Sequence, residues 1–387
     1  MGAENPTEIA LPPELRPGDG RFGSGPSKVR PEAVARLAAA ADGYLGTSHR
    51  RDGVRAVVHR VRAGLSTLFG LPDGYEVLLG NGGTTSFWDA AAFGLIDRRS
   101  EHLVFGEFSS KFASVTRAAP HLEDPIVIES EPGTHPEPTS DASVDAYALT
   151  HNETSTGVMT EIVRPSSTGS GNADKGRLVL VDATSAAAGL RIDPTQFDVY
   201  YFAPQKALAS DGGLWLACCS PAGIERIERI AASGRWCPPS LDLGIALENS
   251  RLDQTYNTPA LATLFLLADT VEWMNEQGGL EWAASRCDRS AEILYGWAES
   301  SEHATPFVAK PSDRSHVNAT IDFEGVDANT LAAVLRANGI VDTESYRKLG
   351  RNQLRIALFP AIEPDDVATL TRAIDFIVDR MLATSRS

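Results

Sequence analysis

The stretch that decides the fold is residues 178–213, which read LVLVDATSAAAGLRIDPTQFDVYYFAPQKALASDGG. It contains two short apolar runs, at 178–181 and 199–203. Neither run alternates apolar with charged or strongly polar residues. Such runs are typical of strands buried on both sides of a parallel sheet. Asp182 follows the first run directly, and Lys206 follows the second within three residues. Because ligands of open α/β sheets bind beyond the carboxyl ends of the strands, we expect this acid and this lysine in one crevice.

An acid and a lysine at neighbouring strand ends suit pyridoxal phosphate. This cofactor needs a lysine for a Schiff base and a carboxylate that keeps its pyridine nitrogen protonated. Strands also commonly end in Asp, and most lysines are solvated loop residues. The pair alone therefore leaves a purely structural interpretation open.

Other predicted strand ends carry residues of the same kind. Further strand candidates lie at 75–79, 102–105, 146–150 and 214–219. The first is followed by the turn GNGGTT (80–85), whose free amides at the start of the next helix suit a phosphate. Phe108 follows the second candidate and Thr154 the third, so a ring and a hydroxyl are available for stacking and hydrogen bonding. Core packing and helix capping are the ordinary alternatives for these two residues.

The alternation of strand and helix patterns predicts an α/β fold, with a large domain whose mainly parallel sheet is sandwiched by helices. Beyond about residue 275 the pattern changes to a smaller α+β unit. We predict three regions: an extended N-terminal segment (1–29), the large domain (30–275) and a small C-terminal domain (276–387). We also predict a polar surface loop at 165–176 and a proline-containing loop at 235–260.

Composition and charge argue against several classes of function. The 387 residues carry a formal net charge of −16, which disfavours a nucleic-acid or anionic-membrane surface. No apolar run is long enough to span a membrane and no secretory signal precedes the first helix, so we expect a cytoplasmic protein. The 4 cysteines and 8 histidines lack the spacing of metal ligands, and we expect no metal site.

Basic residues form two groups in the sequence. If the ligand is an anion, such residues must overcome the negative charge of the protein as a whole. His49 and Arg50 lie in a loop rich in donors, and Arg347 and Arg355 lie in the C-terminal region. Arginine suits this role because its fork binds carboxylate oxygens in pairs. Ser24, in a glycine turn near the N-terminus, is a further possible donor. A solvated basic patch and a plain turn serine are the alternatives.

Together these motifs resemble the phosphoserine aminotransferase family, whose members are class V, fold-type I pyridoxal-phosphate enzymes. The resemblance runs along nearly the whole chain. It is carried by FGSGPSKVRP (22–31), SHR (48–50), NGGTT (81–85), NET (152–154), VDATS (181–185), APQK (203–206) and YNTP (256–259). Gln205 is informative because cysteine desulfurases of the same fold class usually place His before the lysine.

The resemblance implies a role for each matching residue of the cofactor site. Lys206 would hold the cofactor as a Schiff base and then move a proton between the substrate and cofactor carbons. Asp182 would pair with the pyridine nitrogen, Thr154 would bond the 3-oxygen of the ring, and Phe108 would stack on the ring.

The resemblance also implies how the anionic groups are bound. The cofactor phosphate would be held by both subunits of a homodimer, through Gly83, Thr84 and Gln205 of one and Asn257 and Thr258 of the other. Arg355 would bind the α-carboxylate of the substrate. The far anionic end of the substrate would contact Ser24, His49, Arg50 and Arg347.

The implied reaction moves an amino group between L-glutamate and 3-phosphohydroxypyruvate in L-serine biosynthesis, and a related step of pyridoxine biosynthesis stays open. The chain departs from the family pattern at three places. Phe108 stands where many members have Trp, and Thr84 stands where many have Arg. The loop before Arg355 is longer, so Arg347, Lys348 or Arg351 is expected to supply a charge that the usual pattern provides elsewhere.

Three alternatives stay open. An alanine–glyoxylate or serine–pyruvate type transaminase on the same fold would leave His49 and Arg50 as surface residues. A cysteine desulfurase would need a reactive cysteine in a mobile loop, for which Cys237 is the candidate. From a different class, the chain would be a non-catalytic dimer that binds pyridoxal phosphate.

Overall fold

A computed structural model describes residues 9–139, 143–165 and 176–385. The helices are α1 (Pro31–Tyr44), α2 (Asp52–Leu68), α3 (Thr84–Gly94), α4 (Glu107–Ala118), α5 (Pro221–Ala231), α6 (Leu243–Arg251), α7 (Leu261–Gln277), α8 (Gly279–Ser300), α9 (Ala328–Ala337) and α10 (Pro364–Ser385). The strands are β1 (Glu76–Asn81), β2 (Ser100–Val104), β3 (Ile126–Glu129), β4 (Ala146–Thr150), β5 (Asn152–Glu153), β6 (Val158–Met159), β7 (Leu178–Asp182), β8 (Val199–Phe202), β9 (Leu214–Cys219), β10 (Ala304–Pro306), β11 (Asn318–Phe323) and β12 (Gln353–Ala357). The predicted loop 165–176 lies outside the described residues except for its two ends.

The large sheet has seven strands in the order β1-β9-β8-β7-β4-β2-β3. Its neighbouring strands pair in parallel except around β9, which is antiparallel to both β1 and β8. The strands β7 and β8 are adjacent and parallel, and Asp182 pairs with Tyr201. The carboxyl ends of these two strands therefore open at the same edge, as the sequence predicted for the acid and the lysine.

The large sheet is buried on both faces, because successive apolar side chains of a strand point to opposite sides. On β8, Tyr200 and Phe202 belong to one hydrophobic core and Tyr201 belongs to the other. Helices α2, α7 and α8 contribute to the first core, whereas α3, α5 and α6 contribute to the second. Full burial of a side chain such as Phe202 contributes about 1.5–3 kcal/mol. The predicted α/β architecture with a helix-covered sheet is confirmed.

The C-terminal region forms a separate antiparallel sheet in the order β10-β11-β12. It contacts the loop after β4, where Asn318 Nδ2 donates to the carbonyl of Thr154 at 3.0 Å. It also contacts the N-terminal segment, because Ala357 N donates to the carbonyl of Phe22 at 2.9 Å. The predicted domain boundaries at residues 29 and 275 stay a prediction. Within the described ranges, no helix has the length and apolar composition needed to cross a membrane.

The predicted loop 235–260 is wrong in its middle, where the chain forms α6. The carboxylate of Asp242 caps this helix by accepting hydrogen bonds from the amides of Gly244 at 2.8 Å and Ile245 at 3.3 Å. Leu243 and Leu247 are buried against the second core. The helix has nine residues, four of which are buried. A pattern this short, close to two prolines, does not identify a helix from the sequence.

Candidate active site

Lys206 lies just beyond β8, and its amine is covered by the N-terminal segment. Its Nζ donates a hydrogen bond to the carbonyl of Ser24 at 2.7 Å, and the side chain is buried. Gly25 has a φ of +125°, and a Cβ at that position would lie 2.9 Å from Lys206 Nζ. Glycine is required there because any other side chain would be strained and would crowd the amine. The predicted site thus includes the turn that carries Ser24.

The surroundings of Lys206 destabilise the charged form of its amine, relative to an exposed lysine. Burial, followed by the positive charge of Arg355, lowers the pKa of the Lys206 amine from 10.5 to about 8. Asp182 and Glu153 act in the opposite direction, with smaller effects. A neutral amine is a nucleophile and a proton acceptor, so the site makes Lys206 reactive at a much lower pH than an exposed lysine.

Asp182 ends β7 and is held by donors from two elements. Trp88 Nε1, on α3, donates to Oδ2 at 3.0 Å. The amide and hydroxyl of Thr184 donate to Oδ1 at 3.0 and 2.6 Å. Burial raises the pKa of Asp182 above its ordinary value, even though these hydrogen bonds oppose the shift. A buried carboxylate in this position gains free energy from a protonated ring nitrogen, which is the role implied for Asp182.

Thr154 directly follows β5 (Asn152–Glu153), and its side chain points to the same side as that of Asn152. Both side chains donate to Ser185 Oγ at 2.8 Å, and all three residues are buried. Ser185 follows Asp182 by three residues, so the loop after β7 and the loop after β4 meet here. The hydroxyls of Thr154 and Ser185 therefore meet on the loop that follows Asp182, and the resemblance implies that Thr154 bonds the 3-oxygen of the ring.

The glycine turn presents an open helix N-terminus. Gly83 is the N-cap of α3, and no side chain caps the helix there. A Cβ on Gly83 would meet no described atom within 4 Å, so there is space in front of the amides. The hydroxyl of Thr84 lies 2.7 Å from that of Thr184, which links the turn to Asp182. Free amides at the positive end of a helix fit a phosphate group.

Arg355, on β12, lies within electrostatic reach of Lys206. Its guanidinium lies 5.3 Å from the centre of the Tyr346 ring, and burial lowers its pKa. The Tyr346 ring is also 6.0 Å from the ring of Phe108, which in turn is 5.8 Å from Lys206 Nζ. The structure thus brings Phe108, Lys206 and Arg355 together, and the roles that the resemblance implies for them stay a prediction.

Three residues of the loop before Arg355 are candidates for the positive charge that this loop is expected to supply, and their partners differ. Lys348 is paired with Glu107 at the start of α4. Arg351 binds Asp322 and lies 4.6 Å from the centre of the Phe307 ring. Arg347 is exposed, and its side chain makes no hydrogen bond or ion pair with any described residue. Of the three, Arg347 is therefore the cation that is free to bind an anion.

The remaining predicted residues form a separate group in the single chain. Thr258 Oγ1 lies 3.2 Å from His49 Nδ1, and Arg50 donates to the carbonyl of Tyr256 at 3.2 Å. Asn257 accepts a hydrogen bond from the Thr258 amide at 2.9 Å. The hydrogen bonds found in the described chain do not join this group to Lys206. It adjoins the glycine turn instead, because Asn81 Nδ2 donates to the carbonyl of Thr258 at 3.0 Å.

Sequence reasoning missed four residues of this site: Trp88, Glu153, Ser185 and Tyr346. Glu153 and Ser185 lie inside the quoted motifs NET and VDATS, next to residues that had been assigned roles. Trp88 lies in a helix, and its contact with Asp182 joins residues 94 positions apart. The tilted packing of Tyr346 on Phe108 likewise depends on tertiary structure, and no sequence signal marks it.

Buried polar atoms at this site fit the expected cofactor and substrate. Ser24 Oγ, Gln205 Oε1 and Arg355 Nε are buried and have no hydrogen-bond partner among the described residues. Such atoms cost free energy unless a ligand or water binds them. With the Lys206 amine, the buried Asp182 carboxylate and the open end of α3, the residues suit pyridoxal phosphate. In the described part of the chain, no group of His, Cys, Asp and Glu is arranged to hold a metal ion.

The chain belongs to the aminotransferase class-V family, whose pattern matches residues 22–343. The predicted class of enzyme, a transaminase that works with pyridoxal phosphate, is confirmed.

Among individual proteins, the phosphoserine aminotransferases of Nocardioides sp. and Rhodococcus jostii are each 58% identical to this chain. Both comparisons cover 96% of this chain, with 99% and 98% of the respective relative. A solved phosphoserine aminotransferase from Cytophaga hutchinsonii shares the fold with a TM-score of 0.84 at 24% identity, covering 92% of this chain and 99% of that one. The family resemblance and the fold type predicted from the sequence are thereby confirmed.

Proposed function

We propose that this chain is a phosphoserine aminotransferase that transfers an amino group between L-glutamate and 3-phosphohydroxypyruvate, giving O-phospho-L-serine and 2-oxoglutarate. The observation that carries the proposal is Arg355, which lies beside Lys206 with a buried Nε that has no partner among the described residues. An arginine in this position suits an α-carboxylate, which it binds through two parallel hydrogen bonds. The relatives that bear this name at 58% identity support the same pair of substrates.

The cofactor would be held by Lys206, Asp182, Thr154, Phe108, Gly83, Thr84 and Gln205. When bound, pyridoxal phosphate supplies an electron sink that stabilises negative charge at the substrate α-carbon. Asp182 would keep a proton at the pyridine nitrogen, since that cation would stabilise its own buried charge. Lys206 Nζ accepts the α-proton and returns it, which its pKa of about 8 allows near neutral pH.

Arg347 would bind the far anionic end of the substrate, together with Ser24, His49 and Arg50. The absence of any described partner for Arg347 supports this role, because a bound phosphate would supply one. The Ser24 hydroxyl, which is buried and also has no described partner, lies in the residue whose carbonyl binds Lys206.

The proposed enzyme is a homodimer in which Asn257 and Thr258 reach the cofactor phosphate of the second subunit. The exposed position of both residues, next to the half-exposed ring of Tyr256, supports a surface that a second chain covers. Sedimentation velocity at micromolar concentration is expected to give a dimer. A fully active monomer would contradict this part of the proposal.

The proposed reaction is a step of L-serine biosynthesis in the cytoplasm. A related phosphorylated substrate of pyridoxine biosynthesis would use the same arginines, because it shares the anionic end and the amino group. Deletion of the gene is expected to make growth depend on added L-serine, and growth without it would contradict the cellular role.

The experiment that tests the activity is a half-reaction on the purified protein loaded with pyridoxal phosphate. We expect O-phospho-L-serine and L-glutamate, added separately, to convert the visible band of the bound cofactor to its amine form. L-Serine and L-alanine are expected to do so at least tenfold more slowly, because they lack the charge that Arg347 binds. Equal rates with L-alanine or L-serine would favour a transaminase for unphosphorylated substrates. A protein that binds the cofactor but reacts with no amino donor would be the non-catalytic alternative.

A further inference from the structure

Glu153 is a fully buried carboxylate at the centre of the site, and the proposed reaction gives it no role. We propose that Glu153 is a positioning residue that fixes the start of α4, and with it the ring of Phe108, against Lys206. This inference rests on the proposed cofactor site.

The carboxylate of Glu153 accepts hydrogen bonds from three residues. The amides of Phe108 and Ser109 donate to Oε2 at 3.1 and 2.9 Å, and the Ser109 hydroxyl donates to the same atom at 2.9 Å. The amide and hydroxyl of Ser155 donate to Oε1 at 3.1 and 2.7 Å. Both oxygens are therefore bound by several donors, and none of the hydrogen bonds or ion pairs among the described residues joins Glu153 to a cation.

The N-terminus of α4 is built to accept this carboxylate. The N-cap residue is Gly106, which has no side chain of its own to cap the helix. A Cβ at Gly106 would lie 2.3 Å from Cγ of Glu153, so the carboxylate occupies the space that a capping side chain would need. Because a helix N-terminus carries partial positive charge, a carboxylate from another strand stabilises it as an ordinary cap does.

The position of Phe108 depends on this contact. Phe108 is the second residue of α4, and its backbone amide is one of the groups that Glu153 binds. A ring on the first turn of a helix moves with that turn, so fixing the amide fixes the backbone position from which the ring projects. The ring lies 5.8 Å from Lys206 Nζ and 6.0 Å from the ring of Tyr346. Glu153 therefore acts on the cofactor through Phe108 and makes no contact with substrate.

The charge of Glu153 gives a second, separable effect. The charged groups that act on Lys206 are Arg355, Asp182 and Glu153. Of these three, Glu153 is the negatively charged group that is not proposed to contact the cofactor. Removing this charge while keeping the size of the side chain therefore lowers the pKa of Lys206, whereas a variant that weakens the cap but keeps the charge leaves that pKa unchanged.

The test is Glu153→Gln in the full-length protein. Glutamine keeps the size, but its amide nitrogen cannot accept, so one set of donors loses its partner. We expect the midpoint of the pH dependence of cofactor uptake by the cofactor-free protein to fall by about half a pH unit. We expect the circular dichroism of the bound cofactor to weaken, because its ring is held less firmly. In turnover, kcat is expected to fall while KM changes little.

The matched control is Glu107→Gln, which removes a carboxylate from the same helix end. Glu107 faces Lys111 and Lys348 at the surface, so its loss should leave the uptake midpoint and the dichroism as in the unaltered protein. A folded Glu153→Gln protein with the midpoint, dichroism and kcat of the unaltered protein would overturn the inference. Loss of thermal stability alone, with a normal cofactor signal, would overturn it as well.

A second pair of variants serves if Glu153→Gln does not fold. Ser109→Ala removes one donor to Glu153 together with the acceptor of the Phe105 and Gly106 amides, and it keeps the charge of Glu153. Ser110→Ala removes a hydroxyl that donates only to the carbonyl of Glu107. Ser109→Ala is expected to weaken the cofactor dichroism and Ser110→Ala is not. Equal signals would overturn the inference. If the unaltered protein takes up no cofactor, the proposed function fails, which is a different result.

Discussion

The two sides of the candidate cleft are built in different ways. The deep wall, made of residues 152–154, 182–185 and 204–206 at or beyond the carboxyl ends of β4, β7 and β8, consists mostly of buried side chains, several of which are joined by hydrogen bonds. The outer wall (residues 343–351) carries exposed cations on a loop beside α4. Buried networks are costly to rearrange, whereas exposed ion pairs contribute little. In the proposed function, the deep wall would therefore serve the chemistry of the cofactor and the outer wall the choice of substrate.

The comparison is tested most strongly at Lys206, in the deep wall. Lys206→Ala removes both the nucleophile and the proton carrier, so kcat is expected to fall by about 10³-fold or more. The protein should still fold, because an uncharged alanine removes a buried amine that its surroundings disfavour. Steady-state transamination and thermal unfolding measure the two effects. A variant with near-normal turnover would refute the role of the deep wall.

The second prediction concerns the pH dependence of the same residue. The pKa of Lys206 is lowered to about 8, so the neutral amine is the minor form below pH 8 and the major form above it. The rate of cofactor uptake by the cofactor-free protein should rise about tenfold per pH unit up to pH 7 and level off above pH 8. Stopped-flow absorbance measures this rate. Nα-acetyl-lysine is the control, and a protein that follows its rise beyond pH 9 would contradict the effect of burial.

The third prediction compares two arginines of the outer wall. Arg347→Ala is expected to raise the KM for O-phospho-L-serine by roughly tenfold or more, because a charge-assisted hydrogen bond to the phosphate is lost. The KM for L-glutamate should also rise, but by less, because its side-chain carboxylate carries one negative charge where the phosphate carries nearly two. Arg351→Ala is the control, since Arg351 is already bound to Asp322. A larger effect at Arg351 would assign the phosphate to that residue and show that the ion pair opens.

The smallest effect is expected at Lys348, which pairs with Glu107. The Lys348 side chain is 68% exposed, and exposed ion pairs stabilise little because water and salt screen them. Lys348→Ala should therefore change kcat/KM for O-phospho-L-serine by less than about threefold. Assays at low and high salt should give the same ratio of variant to unaltered protein. A tenfold loss would mean that this contact holds the outer wall closed during turnover.

The meeting of Asp182 and Lys206 in the deep wall was predictable from sequence, whereas the ion pairs of the outer wall were not. Asp182 and Lys206 each follow an apolar run, so parallel pairing of the two strands was enough to bring them to one edge of the sheet. The contact of Lys348 with Glu107 joins residues 241 positions apart, and no local pattern encodes it. Glu153 is an intermediate case, because its residue type was visible but its donors on α4 lie 44 and 45 positions away.

The antiparallel strand β9 has a consequence for how the protein is made. Two contacts of the folded protein join segments that are far apart in the sequence. The edge strand β1 (Glu76–Asn81) pairs with β9 (Leu214–Cys219), and Ser24 covers Lys206. A ribosome that adds about 5–20 residues per second therefore leaves β1 without its neighbour for on the order of ten seconds. During that time an apolar edge is exposed, which invites pairing with other chains. We expect newly made protein to need protection by a chaperone until residue 219 has emerged, and nascent chains truncated before that point to aggregate.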